Sequence, residues 1–360
     1  MLKPPPFLRS ISNYSPTRFN ILFLGQDEFS CSVFRRLHAA DVWREMWVAT
    51  NPDSKTGRRG KDLAVSPLKL LAQSLSMPFD TVPPKYLGLK TWEARAIPEP
   101  FQKTPTDSCN ILIAASFGHV IPVSILNLFE PTRRLNVHPS LLPLYRGPAP
   151  IQHAIADGRK ETGVSILSLA PFAQGLDSGD VWASRAVRIP ERATFQSLRD
   201  ILADEGAELL VSTLRAMATG TATAIPQVST QCIFAPLINR NFTQIDWDVW
   251  DAHKLDRVHR AVHHQHALVT ILPYSPTLQL EQFAIHCPPE PLHLKLAQPG
   301  DAVYDHFTQS IIIRCAGQTE ISVTLLQQEN KRVLRAHDFW NGIRPEGLQD
   351  GILKLRSFSS

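Results

Sequence analysis

Residues 19–30 read FNILFLGQDEFS: a short apolar run closed by a glycine, then a polar turn. Phe19 to Gly25 reads as a buried strand, and Phe29 to Leu37 can follow it as a helix. The pattern recurs outward from there. Trp47 to Thr50 reads as a second strand, Asn110 to Ala115 (closed by Gly118) as a third and Leu135 to His138 as a fourth, with Val164 to Leu169 and Val181 to Ile189 after them. Between them lie helical stretches at Pro67 to Ser76 and Thr194 to Met217. In the second, Leu198, Ile201, Leu202, Leu209, Leu210 and Leu214 keep to one face. Strands alternating with helices predict an α/β fold with an open, mostly parallel sheet, and ligands of such sheets sit beyond the carboxyl ends of the strands. The turn after the first strand is Gly25-Gln-Asp-Glu-Phe-Ser, not G-x-G-x-x-G, which argues against a dinucleotide site.

Near residue 220 the composition shifts. Thr219 to Thr230 is rich in Thr, Ala and Pro and reads as a linker. Beyond it, a short helix around Val249 to Val262 leads into strand-like runs at Ala267 to Leu272, Leu278 to Ile285, Ala302 to Tyr304, Ile311 to Cys315 and Ile321 to Leu326. Short strands at close spacing predict a small β-barrel. The expected organisation is a leader at 1–18, a catalytic domain at 19–220, a linker at 221–234 and a smaller domain at 235–350.

Of the 360 residues, 43% are hydrophobic and 19% charged, a globular composition with no apolar run long enough for a membrane span. A net charge of +4 permits a nucleic-acid partner without arguing for one. Cysteines at 31, 109, 232, 287 and 315 include no C-x-x-C pair, so neither a zinc site nor a redox dithiol is indicated. The first twenty residues hold Lys3, Arg9 and Arg18 with Ser10, Ser12, Ser15 and Thr17, and the first acid is Asp27. That is transit-peptide chemistry and predicts a mitochondrial matrix protein; a disordered tail is the alternative.

The chemistry is concentrated in NVHPSLLPLYRGPAPIQ, residues 136–152. Asn136 and His138, two apart at a strand end, point to the same side. A carboxamide and an imidazole placed so can jointly hold a developing oxyanion. Pro139, Pro143, Pro148 and Pro150 then impose a stiff loop. In Gly175-Leu-Asp-Ser-Gly-Asp180 two glycines frame Asp177 in a tight turn, and its carboxylate beside His138 would hold the ring's orientation. Singly, each residue has an ordinary structural reading: a satisfied histidine, a common turn, an asparagine bonded to its own backbone. Their combination in an α/β chain is more specific.

Together, NVHPSLLPLYRGPAPIQ, ETGVSIL and GLDSGD closely resemble the methionyl-tRNA formyltransferase family. FNILFLGQDEFS, the basic stretch NPDSKTGRRGKDLAVSPLKLLA, SFGHVIP and INRNFTQIDWD are similar to further family segments, so the likeness covers nearly all of the chain after residue 18. The resemblance implies a Rossmann-like formyltransferase domain binding 10-formyltetrahydrofolate, with an OB-like barrel that helps hold initiator methionyl-tRNA. By position, it implies a catalytic trio of Asn136, His138 and Asp177. Folate contacts fall on Ser140, Leu141, Leu142 and Pro143, and on Phe117, Gly118, His119, Val120 and Ile121. Lys55, Arg58, Arg59 and Lys61, clustered in one glycine-containing loop, are implied to follow tRNA phosphates; a solvated basic loop is the bland alternative. No metal is required, and a monomer is expected.

Departures from the family pattern stand beside this. Ala170 to Gln174 lengthens the connection by the folate pocket. Residues 235 to 360 hold 12 Lys+Arg against 13 Asp+Glu, so any basic face there needs uneven distribution. His263, His264 and His266 invite a metal reading, yet two are adjacent and no acid or cysteine lies among them. Residues 84 to 106 look like a surface excursion. Alternative functions are a formyltransferase for a small amine such as phosphoribosylglycinamide, a formyltetrahydrofolate hydrolase, and an inactive RNA-binding relative. The basic loop and the second domain weigh against the first two, the intact trio against the last.

Overall fold

The computed structural model describes residues 18–56, 61–83, 92, 97–102, 109–273, 275–286 and 296–358. Arg58, Arg59, nearly all of the proposed leader, most of 84–106 and Cys287 lie outside the described residues. The first part of the chain runs β1 (Phe19–Leu24), α1 (Glu28–Ala39), β2 (Trp43–Thr50), β3 (Ser54–Thr56), β4 (Asp62–Ala64), α2 (Pro67–Ser74), β5 (Phe79–Thr81), α3 (Glu99–Gln102), β6 (Asn110–Ala115), α4 (Val123–Leu126), β7 (Arg134–His138), α5 (Pro150–Ala156), β8 (Glu161–Ser168), β9 (Val181–Arg188) and α6 (Phe195–Ala218).

Seven of these strands form one sheet in the order β5-β2-β1-β6-β7-β8-β9. The first five are parallel, and β8 turns antiparallel against β7. Every residue of β1 and β6 is buried, as befits central strands covered on both faces. Strand order reverses between β1 and β6, so their carboxyl ends open a crevice. At that point Asp27 caps α1 by accepting from Ser30 N at 3.1 Å, and Ser116 Oγ bonds its other oxygen. A carboxylate of the chain itself therefore occupies the helix N-terminus where a dinucleotide fold would hold phosphate.

The remainder comprises α7 (Ala252–Val262), β10 (Leu268–Leu272), β11 (Ser275–His286), β12 (Asp301–Asp305), β13 (Ser310–Arg314), β14 (Glu320–Gln328), β15 (Val333–Arg335), α8 (Ala336–Asn341), β16 (Leu348–Gln349) and β17 (Ile352–Lys354). These strands make an antiparallel sheet ordered β10-β11-β14-β13-β12-β17-β16, with β15 on β14. Register shifts near Gln282 let β11 bend, and paired bonds between Ile271 and Arg356 bring the chain past β17 back to β10. The result is a curled sheet of the OB-like kind. Trp247 of the IDWD motif is buried in this part of the chain, its indole donating to Thr270 Oγ1 at 2.8 Å and its N–H to Ser357 Oγ at 2.9 Å.

The chain forms two compact units. One comprises residues 1–138, 165–184 and 203–227, the other residues 139–164, 185–202 and 228–360. Some expectations needed correction. The basic stretch is not one loop: β3 and β4 pair antiparallel within it, with Lys55 opposite Leu63. The helix expected from Val249 begins at Ala252, because Asp251 accepts from Lys254 N and caps it. The helix expected to Ser76 stops at Ser74, with Ser76 itself left-handed at φ 53°.

Candidate active site

β7 delivers Asn136 and His138 to the same side of its carboxyl end, and the β8–β9 connection brings Asp177 to both. Asn136 Nδ2 donates to Asp177 Oδ1 at 3.2 Å, and His138 Nδ1 lies 3.6 Å from Asp177 Oδ2. The His138 and Asp177 side chains are only 5% and 10% exposed, so this is a nearly dry pair. An ionised carboxylate only accepts, which settles that Asn136 turns its NH2 and not its oxygen toward Asp177. That nitrogen carries a second hydrogen for another acceptor. With Nδ1 facing Asp177, Nε2 is the imidazole nitrogen directed away from the carboxylate.

The turn holding Asp177 is over-determined. Asp177 is left-handed at φ 52°, and Gly175 at φ 103° enters a conformation few other residues accept. A Cβ on Gly179 would stand 1.9 Å from Ser168 O, so nothing larger fits there. Gln227 completes the turn from a distance, its Nε2 donating to Asp177 O at 2.8 Å and Gly179 O at 2.7 Å. Just before it, Ile225 and Val181 exchange backbone bonds. The stretch read as a linker thus does more than connect: it clamps the carboxylate turn, a role that sequence reading missed.

A cleft of about 470 Å³, counted out to its mouth, adjoins Asp177. Its wall is largely apolar (Val120, Ile121, Leu126, Leu167, Leu169, Phe172 and Leu176), with His119, Ser168 and Asp177 as polar groups. A flat heteroaromatic ring suits such a lining: apolar faces with a few convergent polar edges. His119, Val120 and Ile121 of the expected 117–121 segment line it. Phe117 is buried behind, edge-on to His119 at 5.3 Å, and Gly118 lies at φ 76° over Gln26. Ala170 and Phe172 of the lengthened connection form part of the wall. At the strand-order reversal, Gln26 accepts from Asn51 Nδ2, and Asn51 Oδ1 meets His119 Nε2 at 2.8 Å. Asn51 Oδ1 is an amide oxygen and can only accept, so His119 donates, which places a proton on its Nε2. This polar chain was also not legible beforehand.

Ser140 is fully buried, and its hydroxyl donates to Leu144 O at 2.7 Å. Leu141, Leu142 and Pro143 are half-exposed, with a cis bond at Leu142-Pro143. Tyr145, left-handed at φ 59°, anchors the rest of that loop. Its hydroxyl donates to Asp157 at 2.9 Å and accepts from Arg159 Nε at 2.8 Å. Lys55 and Lys61 are exposed. Two of the three histidines make ring contacts: His264 stacks flat on Phe195 at 4.0 Å, and His263 packs on His259 at 4.3 Å. Among the described residues no cluster of three His, Cys, Asp or Glu is placed to hold a metal, and no helix is long and apolar enough to cross a membrane. Burial pushes the Cys31 thiol up to about 11 and raises Cys315 further, conditions that suppress thiolate chemistry.

Comparison with known proteins gives the family and the fold. Residues 19–214 match the model of the formyl transferase family, and residues 237–344 match the formyl transferase C-terminal domain. The methionyl-tRNA formyltransferase of Geobacillus thermodenitrificans is 31% identical over 324 residues, spanning 90% of this chain and 94% of that protein. That of Halalkalibacterium halodurans is 30% identical, spanning 89% and 94%. Among solved structures, a sugar 3N-formyl transferase, WlaRD, determined in the presence of dTDP and 5-N-formyl-THF, superposes with a TM-score of 0.58 at 16% identity, over 87% of this chain and 99% of that one. HypX from Aquifex aeolicus in complex with tetrahydrofolic acid gives 0.53 at 18% identity, over 89% of this chain and 47% of that one. At such identities these two likenesses concern the fold.

Proposed function

The chain belongs to the methionyl-tRNA formyltransferase family, and from that premise we propose that it moves the formyl group of 10-formyltetrahydrofolate onto the free amino group of initiator methionyl-tRNA. The observation that carries the reading is the meeting of Asn136, His138 and Asp177 beside a ring-sized apolar cleft. Folate donor and aminoacyl-tRNA are both substrates of the reaction. As the amine attacks the formyl carbon, negative charge develops on the formyl oxygen. Asn136 offers that oxygen its second amide hydrogen, and His138 in its protonated form offers one from Nε2. Asp177 holds both side chains in place and helps pass the proton from the attacking nitrogen to the departing folate nitrogen as the old C–N bond breaks.

The cleft segment Phe117 to Ile121 is assigned to the pterin end of the donor, supported by its apolar wall. For Ser140 to Pro143 the assignment rests on the motif's resemblance alone. Lys55, Arg58, Arg59 and Lys61 are assigned to tRNA phosphates, supported by the exposure of the two lysines. Residues 235–350 are assigned to tRNA binding, and residues 1–18, basic and acid-free, to mitochondrial import. The chain is taken to act as a monomer.

The test is formylation of charged initiator and elongator tRNAs side by side by protein lacking residues 1–18. Transfer to initiator methionyl-tRNA is expected; activity confined to free small amines would overturn the assignment. A reporter fused behind residues 1–18 should enter mitochondria, and sedimentation at assay concentration should give one chain per particle.

A further inference from the structure

The hairpin tip between β12 and β13 carries a feature that the formyl-transfer chemistry does not use. Phe307 there is 95% exposed. It is not on a loose loop. Asp305 accepts from Phe307 N at 3.0 Å, from Thr308 N at 3.2 Å and from Thr308 Oγ1 at 2.6 Å, closing the turn. On the same hairpin, Tyr304 gathers three more rings: His306 at 4.9 Å, His337 at 5.9 Å and Trp340, inclined by 30°, at 6.3 Å. His306 and His337 are exposed, and Tyr304 and Trp340 half-exposed. Charge distribution singles out the same region. In a part of the chain that is nearly neutral overall, the stretch 331–344 holds Lys331, Arg332, Arg335 and Arg344 against the single acid Asp338. α8, which bears His337 and Trp340, lies within that stretch.

Aromatic faces carried on a closed turn and the adjoining helix, beside basic side chains, suit unpaired nucleotides: bases stack on the rings while cations follow the phosphates. A duplex, with its bases already stacked, has no use for the rings. We propose that Phe307, Tyr304, His306 and the neighbouring α8 rings form a stacking platform for unpaired bases of an RNA, with Arg335 and the Lys331–Arg332 pair along its backbone. The platform deepens the tRNA reading above and rests on it: the RNA is the tRNA substrate, gripped where its bases are not paired.

The test uses the full chain and two tip variants, Phe307→Ala and Phe307→Tyr, with labelled initiator tRNA, a short unstructured oligouridylate and a matched RNA duplex as probes. One lost stacking contact predicts about 5- to 150-fold weaker binding of the oligouridylate by Phe307→Ala, with Phe307→Tyr close to wild type. In the formylation assay, KM for tRNA should rise for Phe307→Ala while KM for the folate donor stays put. Since Phe307 packs on little, the melting temperature should not move, so a failure of folding is distinguishable. If wild type formylates methionyl-tRNA and Phe307→Ala binds the oligouridylate equally well, the platform is wrong and the function stands. Equal losses on the duplex, or loss of self-association in place of RNA binding, likewise overturn the platform. If wild type does not formylate methionyl-tRNA, the function reading itself fails.

Discussion

Gln227 offers the sharpest test of how the carboxylate is held. Its Nε2 satisfies two carbonyls, those of Asp177 and Gly179, at 2.8 and 2.7 Å. Each neutral bond contributes about 0.5–1.5 kcal/mol, so the pair is worth about 1–3 kcal/mol. Asp177 sits at φ 52°, a conformation costing a non-glycine residue on the order of 1–3 kcal/mol. The two magnitudes match, so removing the clamp should leave the productive turn roughly level with its alternatives. A carboxylate displaced by about 1 Å can cost about 10² in rate. Gln227→Glu preserves shape but replaces the donor nitrogen with an oxygen that repels both carbonyls, and Gln227→Leu deletes both bonds. Both should lower kcat about 10- to 100-fold, Glu at least as much as Leu, with KM for either substrate little changed. Steady-state and single-turnover formylation, with circular dichroism to confirm folding, would measure this. A kcat within about twofold of wild type in both variants, despite lost stability, would refute the clamp and leave Gln227 a structural residue only.

Asn136→Ala and His138→Ala should each reduce kcat by about 10²–10³ while folate binding persists; an effect confined to KM would remove them from the oxyanion role. Gly179→Ala must push a Cβ off Ser168 O, which it would approach to 1.9 Å, and should cost about 1–3 kcal/mol by calorimetry. Burial lowers His259 to about 4. The unfolded chain therefore binds this proton first, and stability held above about pH 6.5 drains away as pH falls toward 4. Urea titrations between pH 7 and 4.5 should show a smaller loss in His259→Leu than in wild type, and equal losses would remove His259 as the cause. Neutralising Arg58 and Arg59 together should raise KM for tRNA and flatten its dependence on log salt by about one to two units; an unchanged slope removes that stretch from the tRNA site.

The parallel core was legible because β1 and β6 are apolar but for Asn20 and Asn110, and a buried strand offers a sequence little else to be. Asn136 and His138 were legible because strand periodicity alone puts them on one side. Gln227 was not: a side chain reaching two backbone carbonyls about fifty residues away leaves no periodicity or spacing, and its Thr- and Pro-rich surroundings suggest only a connector. The Gln26–Asn51–His119 chain was hidden likewise, since its members come from three strand ends that only the sheet order brings together. β3 and β4 were missed because each is only three residues long, with no apolar alternation to mark a strand, and a two-stranded ribbon needs no buried face. Phe307 attracted no notice because an exposed phenylalanine and a buried one are spelled alike.

The chain passes five times between its two units, at 138/139, 164/165, 184/185, 202/203 and 227/228. A ribosome cannot finish them one after the other. α5, whose Ile151, Ala154 and Ile155 are buried, packs against α7, yet α7 emerges about a hundred residues later. At about 5–20 residues per second, that leaves sticky side chains waiting for roughly 5–20 s. Newly made protein should therefore lean on chaperones during that interval. Exchanging C-terminal halves between relatives at a single junction would likewise transplant half of a unit and orphan the rest.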